Sequence, residues 1–300
     1  MFKNAIVYRF TEDFKTSFES LSELMNEHLF EPCRSQELSR FGWVKAHADT
    51  ESNTFVANSS ALICAQREEK LLPGAVIKQK LKERGAQIEK DQGRKVYRKE
   101  QLQMKDEIIL DLLPHAFSKY RNTYALIMPI HNMIIVDAGN HKQAEELLNL
   151  LRNTLTTLPI KLPETEQAPS TSMSDWITLA YAPKGFEFHD KCVMTMPDES
   201  GAAIRITGED LTSDDVKAHI ESGYYVKSMA FEWDGTFTFT LHDDLRMTGI
   251  KPTNQLKEAI NQNDSEDALQ RLGADVALLS LEFSKLVPAV FEAFGGELVR

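Results

Sequence analysis

The sequence predicts an α+β fold in which mixed and antiparallel sheets carry packed helices and a projecting basic helical arm. Short apolar runs of strand length alternate with amphipathic helical segments along the whole chain. The composition, 42% hydrophobic and 26% charged, is ordinary for a globular protein. A length of 300 residues is enough for about two domains with a proper core.

The first 75 residues predict strands around one helix. Trp43 lies in a segment without periodicity, and we interpret it as a core anchor, with base stacking as the less favoured alternative. The expected elements are strands at 4–9, 54–56 and 61–65, a helix at 11–28 and an irregular segment at 31–44.

The next elements follow a long polar segment at 76–107. One apolar helix face, which Pro114 should end or kink, is formed by Ile108, Ile109, Leu112 and Leu113. Beyond it we expect a hairpin of strands 124–128 and 133–136 and an amphipathic helix at 142–154.

The C-terminal part predicts a second α+β region. Its clearest feature is a hairpin over 224–241, because two alternating strands meet at Asp234-Gly235, a dipeptide typical of tight two-residue turns. The other expected elements are a helix with Ser174 as N-cap, a hairpin of strands 192–196 and 203–206, a short helix from Ser213 to Gly223, and helices at 252–262 and 275–294, the last bent by Pro288.

The charge is divided unevenly along the chain. The net charge of −11 argues against nucleic acid on average. Residues 1–161 nevertheless carry +2 and residues 162–300 carry −13, and the segment 76–99 holds nine basic and three acidic groups, a net +6. The acidity therefore belongs to the C-terminal part, and a concentrated basic segment lies in the N-terminal part.

This basic segment predicts a helix pair broken near Gly93. Lys78 and Lys82 form an i,i+4 pair of like charge, as do Arg94 and Arg98, and such pairs destabilise a helix unless an anion neutralises them. A phosphate-binding surface is therefore favoured over a merely solvated hairpin. The candidate DNA-binding residues are Lys78, Lys80, Lys82, Arg84, Lys90, Arg94, Lys95, Arg98, Lys99, Lys119 and Arg121.

Recognisable catalytic and metal motifs are not expected. Three cysteines, Cys33, Cys64 and Cys192, show no pairing or zinc spacing, so we expect a reducing cytosol. The groups 189–192 and 242–244 could be imagined as metal sites, but solvated turns are favoured. We find no phosphate-loop, GxSxG, HExxH or EF-hand pattern, no signal peptide and no membrane anchor, and we predict a binding protein without catalytic residues, bound metal or cofactor.

Several long segments resemble one known family, the bacterial recombination-associated protein RdgC. They are FKNAIVYRF, PCRSQELSRFGWV, ICAQREEKLLPGAVIKQKL, DEIILDLLPHAFSKY and LTSDDVKAHIESG, and the likeness continues to FGGE at Phe294. It covers essentially the whole chain. The sequence departs from the family at His115, where relatives can carry Arg, and at 207–209, where relatives can be more basic.

The resemblance implies a cytoplasmic, nucleoid-associated protein that binds double- and single-stranded DNA without sequence preference and restrains RecA-dependent recombination. It implies a ring-shaped homodimer with a basic hole, the arm at 76–120 forming the tip helices and Phe117, on the LLPxAFS motif, making a dimer contact. Packing or base stacking stays open for Phe117. The expected domains are 1–75 with 122–168, a basic tip at 76–121, and 169–300. The alternatives are a metal-dependent nuclease and a RecA-binding adaptor.

Overall fold

A computed structural model describes residues 2–197, 201–262 and 267–298 and confirms the α+β class. The strands are β1 (Asn4–Phe10), β2 (Ser39–Val44), β3 (Phe55–Ala57), β4 (Ser60–Leu71), β5 (Phe117–Met128), β6 (Met133–Val136), β7 (Ile160–Lys161), β8 (Phe186–Thr195), β9 (Ala203–Thr207), β10 (Tyr225–Trp233), β11 (Phe237–His242) and β12 (Met247–Pro252). The helices are α1 (Phe18–Met25), α2 (Gly74–Gln92), α3 (Arg98–Leu112), α4 (His141–Leu155), α5 (Pro169–Thr178), α6 (Asp214–Glu221), α7 (Asn254–Gln262) and α8 (Ala268–Ala293).

The strands form an open antiparallel sheet with β1 near its middle. The hydrogen-bonded order is β2-β4-β5-β6-β1-β12-β11-β10-β8-β9, with β3 beside β4 and β7 beside β1. Ile6 of β1 lies opposite Val136 of β6, and Asn4 lies opposite Thr248 of β12. The first strand of the chain therefore joins the N-terminal strands to those of the C-terminal part.

The described residues belong to two compact units. The larger unit comprises Met1–Glu27, Lys45–Cys64 and Thr123–Arg300, and the smaller unit comprises His28–Val44 and Ala65–Asn122. Strands β4 and β5 each pass from one unit into the other. The three-part domain division expected from the sequence stays a prediction.

The core of the larger unit is rich in aromatic side chains. Trp176 of α5 stacks on Phe294 with ring centroids 5.0 Å apart and meets Phe231 of β10 edge to face. Such pairs stabilise a core by about 0.5–1.5 kcal/mol beyond the area that they bury. Trp233 and Phe237 close the predicted β10–β11 hairpin, which is confirmed, but its loop has three residues rather than two.

Three helices begin where a capping side chain or a proline sets the first turn, away from the positions expected. Helix α1 begins at Phe18 because the Ser17 hydroxyl accepts the Ser20 N–H. Helix α5 begins at Pro169, a residue favoured at the first helical position. The expected N-cap Ser174 lies inside α5, where its hydroxyl accepts the Val226 N–H, and α8 begins seven residues early, after the Asp267 cap.

The smaller unit contains strands that the sequence pattern did not predict. The segment expected to be irregular ends in β2, where a Cβ on Gly42 would lie 2.6 Å from the Phe30 backbone. The Phe30 N–H donates to the Trp43 carbonyl, and Trp43 is buried, which confirms it as a core anchor. Strands β4 and β5 also extend well beyond their apolar residues into the charged part of the unit.

Candidate nucleic-acid interface

Helix α2 carries the first part of the basic segment and is exposed along its length. Its only half-buried positions are Ile77, Leu81, Gly85 and Ile88, a stripe at helical spacing that marks the side packed in the smaller unit. The helix ends as predicted at Gly93, whose φ of +66° suits glycine and whose N–H donates to the Glu89 carbonyl.

Most of the predicted cations point to solvent and have no partner among the residues that the structure describes. Within the described part of the chain, no hydrogen bond or ion pair engages the side chains of Lys78, Lys80, Lys82, Lys90, Lys95, Arg98, Lys99 and Lys119. The like-charged pair Lys78 and Lys82 lies on one face of α2, one helical turn apart. These ammonium and guanidinium groups can bind an anion.

Two predicted DNA-binding arginines are already paired with carboxylates. Arg84 of α2 reaches α3, where its guanidinium lies 2.6 Å from Asp111 and 3.5 Å from Glu107. Arg94 donates two hydrogen bonds to Glu100, at 2.7 and 2.8 Å. These arginines join α2, α3 and their connection, so they have less charge to offer a phosphate than the unpaired cations.

Glu100 organises the connection between α2 and α3. Besides the two bonds from Arg94, it accepts the Tyr97 N–H at 3.0 Å at the start of α3. The Arg94 hydrogen bonds, aided by the Tyr97 N–H, lower the pKa of the Glu100 carboxyl to about 2. A glutamate three residues into a helix is a capping signal, but the preceding Tyr97 is not a usual N-cap, so the sequence did not reveal this role.

A second basic surface lies at the start of β5. Because side chains alternate along a strand, Phe117, Lys119 and Arg121 share one face, and all three are exposed. Phe117, the predicted dimer contact, is 84% exposed. The structure therefore brings this aromatic ring and two predicted cations together as one stripe.

A buried glutamate that the sequence did not single out fixes the residue beside Phe117. Glu68 of β4 accepts hydrogen bonds from the Ser118 hydroxyl and the Cys33 N–H, and Lys70 lies 3.7 Å away. Burial by itself raises the pKa of this carboxyl, but the bonds from Ser118 and Cys33 outweigh burial, so the pKa lies below its usual value. Glu68 thus joins the loop at 31–38 to the start of strand β5.

The imagined metal sites contain ordinary polar contacts. Asp244 pairs with Arg246 at 2.6 Å and His141 at 3.2 Å, while His242 bonds Thr248. Cys192 is buried, and burial raises the pKa of its thiol to about 12. In the described ranges no group of three or more acidic, histidine or cysteine side chains could hold a metal ion, and no helix is long and apolar enough to cross a membrane.

Comparison with known proteins finds one family that matches nearly the whole chain. A family model described as "Putative exonuclease, RdgC" matches residues 1–297. The recombination-associated protein RdgC of Aeromonas hydrophila is 40% identical over 297 residues, which cover 99% of this chain and 98% of the relative. Those of Tolumonas auensis and Pseudomonas aeruginosa are 38% and 37% identical, each over 99% of this chain and over 98% and 97% of the relative.

Proposed function

The chain belongs to the RdgC family of recombination-associated proteins, and from this premise we propose that it binds DNA as a homodimer without marked sequence preference. The observation that carries the proposal is a set of exposed cations on α2, around the start of α3 and at Lys119 of β5 that have no partner among the residues that the structure describes. Phosphates are the anions that such a surface fits, since they neutralise like charges one helical turn apart.

The proposed mechanism is electrostatic. The lysines of α2, together with Lys95, Arg98 and Lys99, contact phosphates and release counterions, which gives affinity without reading base sequence. The C-terminal part, with a net charge of −13, repels DNA and confines it to the basic surface. Under this mechanism the distribution of charge determines which surface of the protein the duplex contacts.

We further propose that two protomers close a ring around DNA and that this occupancy competes with RecA filament assembly. Closing a ring from two chains needs two contact regions related by twofold symmetry. One would include Phe117, whose exposed ring can meet a second copy, and the other would lie in the C-terminal part. The protein would then act in the cytoplasm on the nucleoid, by binding and without a cofactor.

The salt dependence of binding tests the proposal. If about six phosphates are contacted, log affinity should fall against log salt with a slope near −5, about a 10³-fold loss between 50 and 200 mM. Fluorescence anisotropy on duplexes of unrelated sequence measures both the slope and the sequence preference. An affinity insensitive to salt, or confined to one sequence, contradicts the proposal.

A nuclease is the second candidate, because the matching family model bears the word exonuclease in its description. Incubating end-labelled DNA with excess protein and Mg²⁺ or Mn²⁺ decides this. Intact DNA supports action by binding, whereas shortened products that require the metal establish catalysis.

An adaptor that binds RecA directly is distinguished by a different measurement. Association of the two purified proteins is measured in a buffer without nucleic acid. Binding there would make DNA incidental, whereas antagonism that requires DNA supports the clamp.

A further inference from the structure

We propose that Tyr97 is a stacking platform for an unpaired nucleobase, so that the connection between α2 and α3 binds single-stranded DNA in a way that duplex cannot use. This inference rests on the proposed function and extends it by naming the ligand that one residue binds. The motivating observation is an aromatic ring, 71% exposed, in the middle of four basic residues.

The backbone under the ring is held in place before any ligand arrives. Tyr97 donates its N–H to Glu100, and Arg94 makes two hydrogen bonds to the same carboxylate. The Tyr97 peptide and the Arg94 side chain are therefore fixed by one acceptor. A ring on a fixed backbone loses little conformational freedom when a base stacks on it.

Most of the Tyr97 ring faces solvent, and its one aromatic or cation–π contact in the described part of the chain is with Arg94. The Arg94 guanidinium carbon lies 6.0 Å from the ring centroid, at the outer limit of a cation–π contact. A base could stack on the free face of the phenol while the guanidinium remains near the other. Stacking accepts any base because every base has a π face.

The neighbouring cations supply contacts for the strand on either side of the base. Lys95, Arg98 and Lys99 are exposed and have no ion-pair partner in the described part of the chain. An aromatic ring among such cations is the usual composition of a single-strand site. In a duplex the bases are paired and stacked, so the ring adds nothing there.

Other exposed tyrosines lack this combination. Tyr120 packs edge to face on Phe30, with ring centroids 6.3 Å apart. Tyr181 is 61% exposed, but its neighbours in sequence are Ala180 and Ala182, with a single Lys184 nearby. Tyr181 therefore serves as the matched control for removing an exposed phenol.

The test compares Tyr97→Ala, Tyr97→Phe and Tyr181→Ala in the full-length protein. The probes are a fluorescent 20-mer of dT and a 20-base-pair duplex, read by anisotropy over a series of salt concentrations. Tyr97→Ala should weaken single-strand binding by about fivefold to tenfold and change duplex binding by less than about twofold. Tyr97→Phe and Tyr181→Ala should match the wild type, and the salt slope should be unchanged because the phenol carries no charge.

A direct readout locates the base. A dT probe with one 5-iodouracil, irradiated on the wild-type protein, should crosslink to the peptide that contains Tyr97 as mapped by mass spectrometry. Crosslinks only elsewhere, or equal weakening of both probes by Tyr97→Ala, would overturn the inference. A shift in oligomeric mass with Tyr97→Ala would instead assign the ring to a contact between protein chains.

These outcomes separate the inference from the function on which it rests. If the wild type binds both probes and Tyr97→Ala binds them equally well, only the stacking role is contradicted. If the wild type binds neither probe, the proposed function itself is contradicted.

Discussion

Single glutamates hold the residues on which the proposed interface depends. Glu100 fixes Arg94 and Tyr97, and Glu68 fixes Ser118 beside Phe117. Neither glutamate could be singled out from the sequence, because each acts through hydrogen bonds whose partners are set by local backbone geometry or by distant strands. The cations were predictable because their function needs only charge and exposure.

The Arg94–Glu100 pair predicts an acid titration in a defined window. The folded-state pKa of Glu100 is lowered from an ordinary 4.5 to about 2, so its contribution is present above pH 4.5 and is lost as pH falls towards 2. The side-chain carboxyl carbon, followed by NMR, should titrate near 2 in the wild type and move towards 4.5 in Arg94→Ala. Lys95→Ala should leave the titration in place, and an unchanged midpoint in Arg94→Ala would contradict the assignment.

Removing Glu68 should destabilise the smaller unit. Glu68→Ala leaves the Cys33 N–H and the Ser118 hydroxyl without their acceptor, at a cost of about 2–3 kcal/mol in the free energy of unfolding. Because its pKa is lowered, this contribution is present above the ordinary value of 4.5 and declines under acid. Urea unfolding at fixed protein concentration measures the change, with exposed Glu69→Ala as control. Equal midpoints for the two variants would show that the hydrogen bonds contribute nothing.

At the level of elements, the sequence predicted what apolar alternation and the backbone preferences of glycine and proline determine. The β10–β11 hairpin, the break at Gly93 and the end of α3 before Pro114 are all present. The long extensions of β4 and β5 were missed because charged residues there give no alternation, and only pairing between strands keeps them extended. The carboxylates that neutralise Arg84 were missed because they lie on the next helix, far from Arg84 in the sequence.

The helix pair predicts that its cations contribute unequally to DNA binding. Replacing Lys95, Arg98 and Lys99 together by Ala should reduce the magnitude of the salt slope by about 1 for each phosphate that the variant no longer neutralises. Arg84→Ala should change the slope by less, since its guanidinium already pairs with Glu107 and Asp111. The slopes are compared on one duplex at matched protein concentrations. A larger effect from Arg84 than from the three-residue variant would reverse the assignment of these cations.

For the whole molecule, the net charge of −11 is a poor guide until its distribution is known. The sequence shows a net charge of +2 in residues 1–161, −13 in residues 162–300 and +6 in residues 76–99. The structure adds that several cations of the last segment are exposed and have no partner within the described ranges. The assembly could not be derived from the residues, because a contact between copies depends on shape as well as composition. The ring-shaped homodimer is expected from the family resemblance alone, and a comparison of circular with linear DNA tests it.

A closed ring predicts that retention on DNA depends on whether the DNA has ends. Protein loaded at low salt and challenged at high salt should stay on a nicked circle and slide off the linear form of the same plasmid, because salt weakens phosphate contacts but cannot open a topological link. The mass of the retained complex would report two protomers per ring.

The variant Phe117→Ala should lose the retention on circles if the exposed Phe117 ring helps to close the dimer. The control is Leu179→Ala, which truncates another exposed apolar side chain, in the larger unit, and should keep the retention. Equal release from circular and linear DNA by the wild type would mean that the protein binds along the duplex without enclosing it. That result would contradict the closed ring but would still agree with an electrostatic DNA-binding surface.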